Sequence, residues 1–199
     1  MSAHGQNDSA TFGEAGTLQH VKGDAAVLVP LRDGDVSRQA LDLARTIAIG
    51  CGLELVVLNA VCLPEQTPLD IGIRSIDDPY QSVSEIVDTV TEERPGISTF
   101  GTVHIGRNPV SVLYNAVEQY NIALIVVDDS WNYGRFNPLT RTPVEKLAAT
   151  VNPLVVQTNG KRSAGTLTSI LVPIGGGPYS GLAIDISKSI AIAHDAHIE

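Results

Sequence analysis

The chain has 199 residues, a formal net charge of −9, and a composition that is 43% hydrophobic and 18% charged. This balance is typical of a folded globular protein and excludes a wholly disordered one. The acidic surplus argues against general nucleic-acid binding, which requires a basic face. No apolar run is long enough to span a bilayer, and the first twenty residues lack the hydrophobic core of a signal peptide. We therefore expect a cytoplasmic chain that does not insert directly into a membrane.

Residues 1–24 are polar and rich in Gly, Ser and Ala without a clear period, which indicates a mobile or surface-bound leader. Five short apolar runs follow, and they predict strands with the sequences AAVLVPL, LELVVLNAV, GISTFGTVHI, IALIVV and NPLVVQT. Each connection is long enough for a crossover, so neighbouring strands are expected to be parallel. Residues 25–158 are therefore predicted to form an α/β domain with a doubly wound parallel sheet.

The connections carry helical signals. Apolar residues recur at helical spacing from Ser37 to about Cys51, and again from Val83 to Val90. Asn108 is a predicted N-cap that is followed by proline at the first helical position. Thr142 is a second predicted N-cap, also followed by proline, and Glu145 stands where a capping box requires it.

Cys51 and Cys62 flank the second predicted strand. Two cysteines cannot build a disulfide framework. We expect both to be buried as small apolar side chains, with a redox pair as the alternative.

The sequence contains an internal repeat. Residues 27–55 align with residues 170–198 at a constant offset of 143, without a gap, and ten of the 29 positions are identical. Ordinary composition would give roughly two identities. We interpret 159–168 as a linker and 169–199 as the opening β-α-β unit of a second copy, so the chain is expected to be a tandem-domain protein whose second copy is truncated.

The second copy contains three glycines, Gly175 to Gly177, between an apolar run and a helical period. This order is also that of a phosphate cradle. However, a dinucleotide fingerprint requires its third glycine at position 180, where this chain has a serine. We interpret the segment as a tight turn from strand to helix that Ser180 caps.

Three stretches resemble the universal stress protein family: VLVPLRDGDVSRQALDLARTIA, HIGRNPVSVLYNAVEQYNIALIVV and TPVEKLAATVNPLVVQT. The resemblance covers residues 24–158 and restarts near residue 168. It implies a five-stranded parallel sheet in the order 3-2-1-4-5, the arrangement of adenine-nucleotide alpha-hydrolase-like folds. Strands one and four are then neighbours at the switch point where open α/β sheets bind ligands.

In ATP-binding members of the family, strand four is followed by two glycines separated by two residues, then nine residues, then Gly-Ser or Gly-Thr. Here Asp128 takes the place of the first glycine, and Gly134 is the single glycine of the loop. Arg141 replaces the glycine before Thr142, so only the hydroxyl residue of that pair is kept. The glycine positions matter because they allow backbone amides to approach the phosphates.

The family also carries an aspartate after strand one. In this chain Arg32 takes that position and Asp33 follows it. A carboxylate about 5 Å from a phosphate charge opposes it by roughly 3 kcal/mol at an effective dielectric near 20. Arg32, Arg135 and Arg141 would restore part of the attraction. We expect a degenerate nucleotide crevice without a cofactor, and ATP is the alternative ligand.

Other side chains of the loop leave two interpretations open. Asp128 and Asp129 fit a solvated loop, or an acid–base pair or Mg²⁺ site. Trp131 and Tyr133 fit a packed lid or a surface that stacks on a base. The histidines do not have the spacing of a metal site, and no nucleophile has a recognisable partner set. We therefore expect a chain that is not an enzyme.

The fifth strand is an edge in the family's order, and its apolar residues would pair with another strand. The family commonly dimerises through this strand, which implies a homodimer. The predicted dimer contact consists of Leu154, Val155, Val156 and Gln157.

Together these features favour a regulatory module that acts by dimerisation and by binding a protein partner. An ATP- or AMP-binding stress sensor with slow hydrolysis is the second hypothesis. The cytosolic regulatory part of a membrane transporter is the third.

Overall fold

The computed structural model describes residues 10–11, 25–32, 34, 36–68, 77–93, 96–131, 142–158, 167–173, 175–177 and 180–199. Most of the predicted leader and linker therefore lie outside the described residues. The same holds for five residues named above, which are Asp33, Tyr133, Gly134, Arg135 and Arg141.

The described chain alternates between strands and helices. The strands are β1 Ala10–Thr11, β2 Ala26–Leu31, β3 Glu54–Cys62, β4 Thr99–Gly106, β5 Ile122–Val127, β6 Leu154–Gln157, β7 Ser169–Ile170 and β8 His197–Ile198. The helices are α1 Arg38–Cys51, α2 Asp77–Glu93, α3 Pro109–Gln119, α4 Pro143–Thr150 and α5 Ser180–His194. A short 3₁₀ turn follows β5 over Asp129–Trp131.

The main sheet has the order β1-β4-β3-β2-β5-β6. Strands β2 to β6 are mutually parallel, which confirms the predicted order 3-2-1-4-5. The short strand β1 is an addition, because it pairs antiparallel with the outer side of β4. Strands β2 and β5 lie side by side at the centre, so their carboxyl ends form the switch point.

Both faces of the central strands are buried. Leu28 and Ile125 point toward α3 and α4, in a cluster that includes Leu113 and Leu147. The next residue along each strand points to the opposite face, where α1 packs. This alternation is why the strands read as continuous apolar runs.

Two helices begin at their predicted caps, Asn108 and Thr142. The Asn108 side chain accepts a hydrogen bond from the Ser111 backbone N–H at 3.0 Å. Thr142 and Glu145 form both bonds of the capping box, at 2.7 and 3.2 Å. The Ser37 side chain caps α1 through the Ala40 N–H at 3.1 Å.

The repeat unit has the same local geometry as its counterpart. Ser169 pairs with His197 in β7 and β8, and these positions correspond to Ala26 and Glu54 in β2 and β3. Both α1 and α5 are followed by a residue in the left-handed region. Gly52 has φ 65° and Asp195, at the corresponding position, has φ 52°. In both units the N–H of the following residue donates to a carbonyl in the last turns of the helix. Leu53 donates to Ala48 at 2.8 Å, and Ala196 donates to Ala191 at 2.9 Å.

Three local expectations were wrong. Cys62 is exposed and Cys51 only half-buried, because Cys62 ends β3 beyond the covering helices. The third strand begins at Thr99, three residues later than its apolar run. Ser180 is the first residue of α5 rather than the residue before it.

None of the helices within the described ranges has the length and apolar character needed to cross a membrane.

Candidate functional site

The candidate site is the crevice where β2 and β5 end. Asp128 follows β5 directly and is 7% exposed. Its Oδ2 accepts a hydrogen bond from the Ser37 backbone N–H at 3.1 Å. Since Ser37 is the N-cap of α1, the carboxylate lies against the positive end of a 14-residue helix.

The second oxygen of Asp128 closes a local turn. Oδ1 accepts hydrogen bonds from the Ser130 backbone N–H, at 2.9 Å, and from the Ser130 hydroxyl. A carboxylate that accepts the N–H two residues later forms an Asx turn. Asp128 thus holds the loop after β5 and the start of α1 together.

Arg32 makes a second bridge across the crevice. It follows β2 and its guanidinium donates to the Ser130 backbone carbonyl. The arginine and the aspartate therefore hold the same short loop, one through the carbonyl and one through the N–H of Ser130. Both charged side chains lie at the switch point, and each forms a hydrogen bond with Ser130.

The start of α4 lies at the end of the same loop. The Thr142 hydroxyl accepts from the Glu145 N–H, and the Thr142 N–H donates to the Glu145 carboxylate. The capping box thus uses the Thr142 N–H as a donor and the Thr142 hydroxyl as an acceptor.

Trp131 is a core residue. It is 4% exposed and belongs to the apolar cluster that includes Val144 and Leu147 of α4. The indole ring of Trp131 therefore packs in the core beneath the loop.

A buried polar group lies on the opposite side of the sheet from α1. His104 of β4 is fully buried, and its Nε2 lies 3.4 Å from the Tyr120 hydroxyl. That hydroxyl donates to Thr102 Oγ1 at 3.2 Å, while His104 Nδ1 has no hydrogen-bond partner among the residues that the structure describes. Burial lowers the pKa of His104 to about 4.

The structure brings Arg32 and Asp128 together, as the strand order predicts. It also shows two partners that sequence reasoning missed, Ser37 and Ser130. A local signal for Ser130 was present, because an aspartate in a loop commonly accepts a hydrogen bond from the backbone N–H two residues later. The contact with Ser37 joins residues 91 positions apart and had no local signal.

Among the residues that the structure describes, no group of three His, Cys, Asp or Glu side chains could hold a metal ion.

Solved structures that match the fold include universal stress proteins. One, in complex with cAMP, matches with a TM-score of 0.50 and 18% identity over 70% of this chain and 100% of its own. A family protein from Burkholderia pseudomallei matches with a TM-score of 0.50 and 18% identity over 67% of this chain and 95% of its own. No protein-family model and no curated protein matches the sequence. The chain therefore has the universal stress protein fold.

A longer structure matches more of the chain. A protein from Pseudomonas aeruginosa UCBPP-PA14, described as a universal stress protein, matches with a TM-score of 0.54 and 18% identity over 89% of this chain and 61% of its own. Residues 1–158 are about 79% of the 199 residues, so this match includes part of 159–199.

Proposed function

We propose that the chain is a universal-stress-type regulatory module that acts by self-association and by binding a protein partner, rather than by catalysis. We also propose that side chains of the crevice disfavour the binding of nucleotide phosphates, chiefly through electrostatic repulsion. The observation that carries the second part is the buried carboxylate of Asp128. It lies at the family's first glycine position and accepts the N–H at the start of α1.

The residues present do not fit a triphosphate. At about 5 Å the Asp128 carboxylate would oppose a phosphate charge by roughly 3 kcal/mol at an effective dielectric near 20. The hydroxyl and N–H of Thr142 are already bonded within the capping box. A phosphate would have to displace the Glu145 carboxylate to reach the Thr142 N–H, whereas the hydroxyl acts only as an acceptor in the capping box and keeps its O–H to donate.

A second candidate function is an ATP- or AMP-binding sensor. Two observations favour it: one structural neighbour is a complex with cAMP, and Arg32 places a cation at the switch point. Arginine binds phosphate without glycine geometry. The Asp128 substitutions in the Discussion distinguish the two candidates.

We further propose that 169–199 begins a second domain copy. Support comes from the shared strand register and from the left-handed residue after each first helix, Gly52 and Asp195. Such a residue is a common way to end a helix before the next strand.

Self-association is proposed to use β6, the terminal strand of the main sheet. The Thr158 N–H donates to the Val127 carbonyl at 2.8 Å, so the backbone of Thr158 faces β5. Because successive residues of a strand face opposite sides, the backbone groups of Val155 and Gln157 face away from β5. These outward groups are available for pairing with the same strand of a second copy.

Gln157→Pro tests this contact. Gln157 is exposed, and proline removes an outward N–H while leaving the bonds to β5 intact. A two-fold dimer contains the substitution twice, so two hydrogen bonds of about 1 kcal/mol each are lost. We therefore expect the dimer Kd to rise about 30-fold or more. Sedimentation equilibrium measures this shift.

Gln157→Ala is the matched control, because it removes the same side chain and keeps the N–H. It should associate as the wild-type protein does. Equal Kd values for the proline and alanine variants would exclude β6 as the contact.

A further inference from the structure

Helix α5 packs against α1, its own counterpart in the repeat. Three apolar residues of α5, Leu182, Ile186 and Ile190, join the cluster that α1 forms on the sheet. The same cluster includes Leu154 and Val156 of β6. Helix α5 therefore extends the helical layer on this face of the sheet toward its β6 edge.

The two helices approach closely at one point. A Cβ placed on Gly50 of α1 would lie 2.4 Å from the Cβ of Ser189, which is closer than side chains pack. Ser189 is buried, and its hydroxyl lies 3.4 Å from the sulfur of Cys51. Gly50 has ordinary helical backbone, so it is the proximity of α5 that requires a glycine here.

Equivalent residues of the repeat face one another. A cavity of about 830 Å³ separates part of the two helices, and both sides contribute to its lining. Four pairs of lining residues are related by the offset of 143: Arg45 and Lys188, Thr46 and Ser189, Ile49 and Ile192, and Gly50 and Ala193. The contact thus joins one surface to a copy of itself, as in a two-fold interface.

We propose that this surface of α1 docks a second domain of the same kind through that domain's first helix. Within this chain, helix α5 of the repeat unit 169–199 occupies the surface. The docking helix lies on a face of the sheet, so the outward backbone of β6 stays available to another chain. The inference does not depend on what the crevice binds.

A mutant cycle at Gly50 and Ser189 tests the contact in the full chain. In an isolated helix, Gly→Ala raises stability. Here we expect Gly50→Ala to lower the Tm by about 3 °C or more and to speed hydrogen exchange of the α5 amides at least about tenfold. In the Ser189→Gly background both 2.4 Å contacts are removed and the Cα of residue 189 remains at 3.1 Å, so the same substitution should lower the Tm much less or leave it unchanged. A Gly50→Ala effect of the same sign and size in both backgrounds would overturn the proposal.

A crosslink identifies which chain supplies α5. In a Cys62→Ser background, Ser189→Cys places a thiol beside Cys51. Oxidised glutathione then takes two electrons and two protons from the pair as the disulfide forms. We expect a link within one chain, seen as a monomer on non-reducing gels with a mass about 2 Da lower.

Ser187→Cys in the same background is the control. It lies two residues away on α5, which with 3.6 residues per turn places it on nearly the opposite side of the helix from residue 189. It should give no link to Cys51. A link between chains, or equal linking of both variants, would contradict docking by the chain's own repeat unit.

Discussion

Asp128→Ala is expected to raise the affinity for ATP about 100-fold. The substitution removes the carboxylate that opposes a phosphate charge by roughly 3 kcal/mol, and it frees the Ser37 N–H at the start of α1. The same change should lower the free energy of unfolding by about 2 kcal/mol, because hydrogen bonds to a charged group are lost. Calorimetric titration with ATP and AMP, together with denaturant unfolding, measures both effects.

Asp129→Ala is the matched control for Asp128→Ala. It removes the same charge from the neighbouring, half-buried residue. We expect a much smaller change in ATP affinity and in stability. If both variants gain affinity equally, the effect is one of overall charge and the specific role of Asp128 is wrong.

Acid is expected to destabilise the protein through His104. In the arrangement where Tyr120 donates to Thr102, His104 Nε2 donates to the Tyr120 hydroxyl, which leaves Nδ1 unprotonated and without a partner within the described part of the chain. A second proton on the ring would create a buried charge for which the described residues offer no acceptor at Nδ1. Burial raises the pKa of Tyr120, so this neighbour stays neutral in acid and offers no compensating charge.

The sign follows from the two pKa values. The unfolded chain binds a proton at His104 near pH 6.5, whereas the folded chain binds it only near pH 4. Stability is therefore full above pH 6.5, falls as the pH drops through this window, and levels off below about pH 4. The shift corresponds to a loss of about 3 kcal/mol.

His104→Phe isolates this contribution, because it keeps a ring of similar size without a titrating group. The difference in unfolding free energy between wild type and variant should change with pH only in the window from about 6.5 to 4. A difference that stays constant across this window would show that His104 titrates alike in both states.

Much of the fold could be predicted from local sequence. Buried parallel strands read as apolar runs because both faces are covered, and the caps at Asn108 and Thr142 are short-range signals. The strand order came from the family resemblance. By contrast, β1 and the exposure of Cys62 depend on what surrounds them in the folded sheet, which local patterns do not encode.

The site was predicted in part. Strand order brings Arg32 and Asp128 to one crevice, and that much follows from topology. Their bonds to Ser37 and Ser130 depend on the final position of α1 and the loop. The contact of Gly50 with Ser189 could not be predicted either, because it also depends on the final position of the helices. The repeat predicts two equivalent helices but not that they pack together.

Native mass spectrometry of the purified wild-type chain tests the central proposal most directly, because it reports association and bound nucleotide in one spectrum. We expect a dimer of the chain without nucleotide. A monomer, or a species that carries one nucleotide per chain, would contradict the proposal of an associating module whose crevice opposes phosphates.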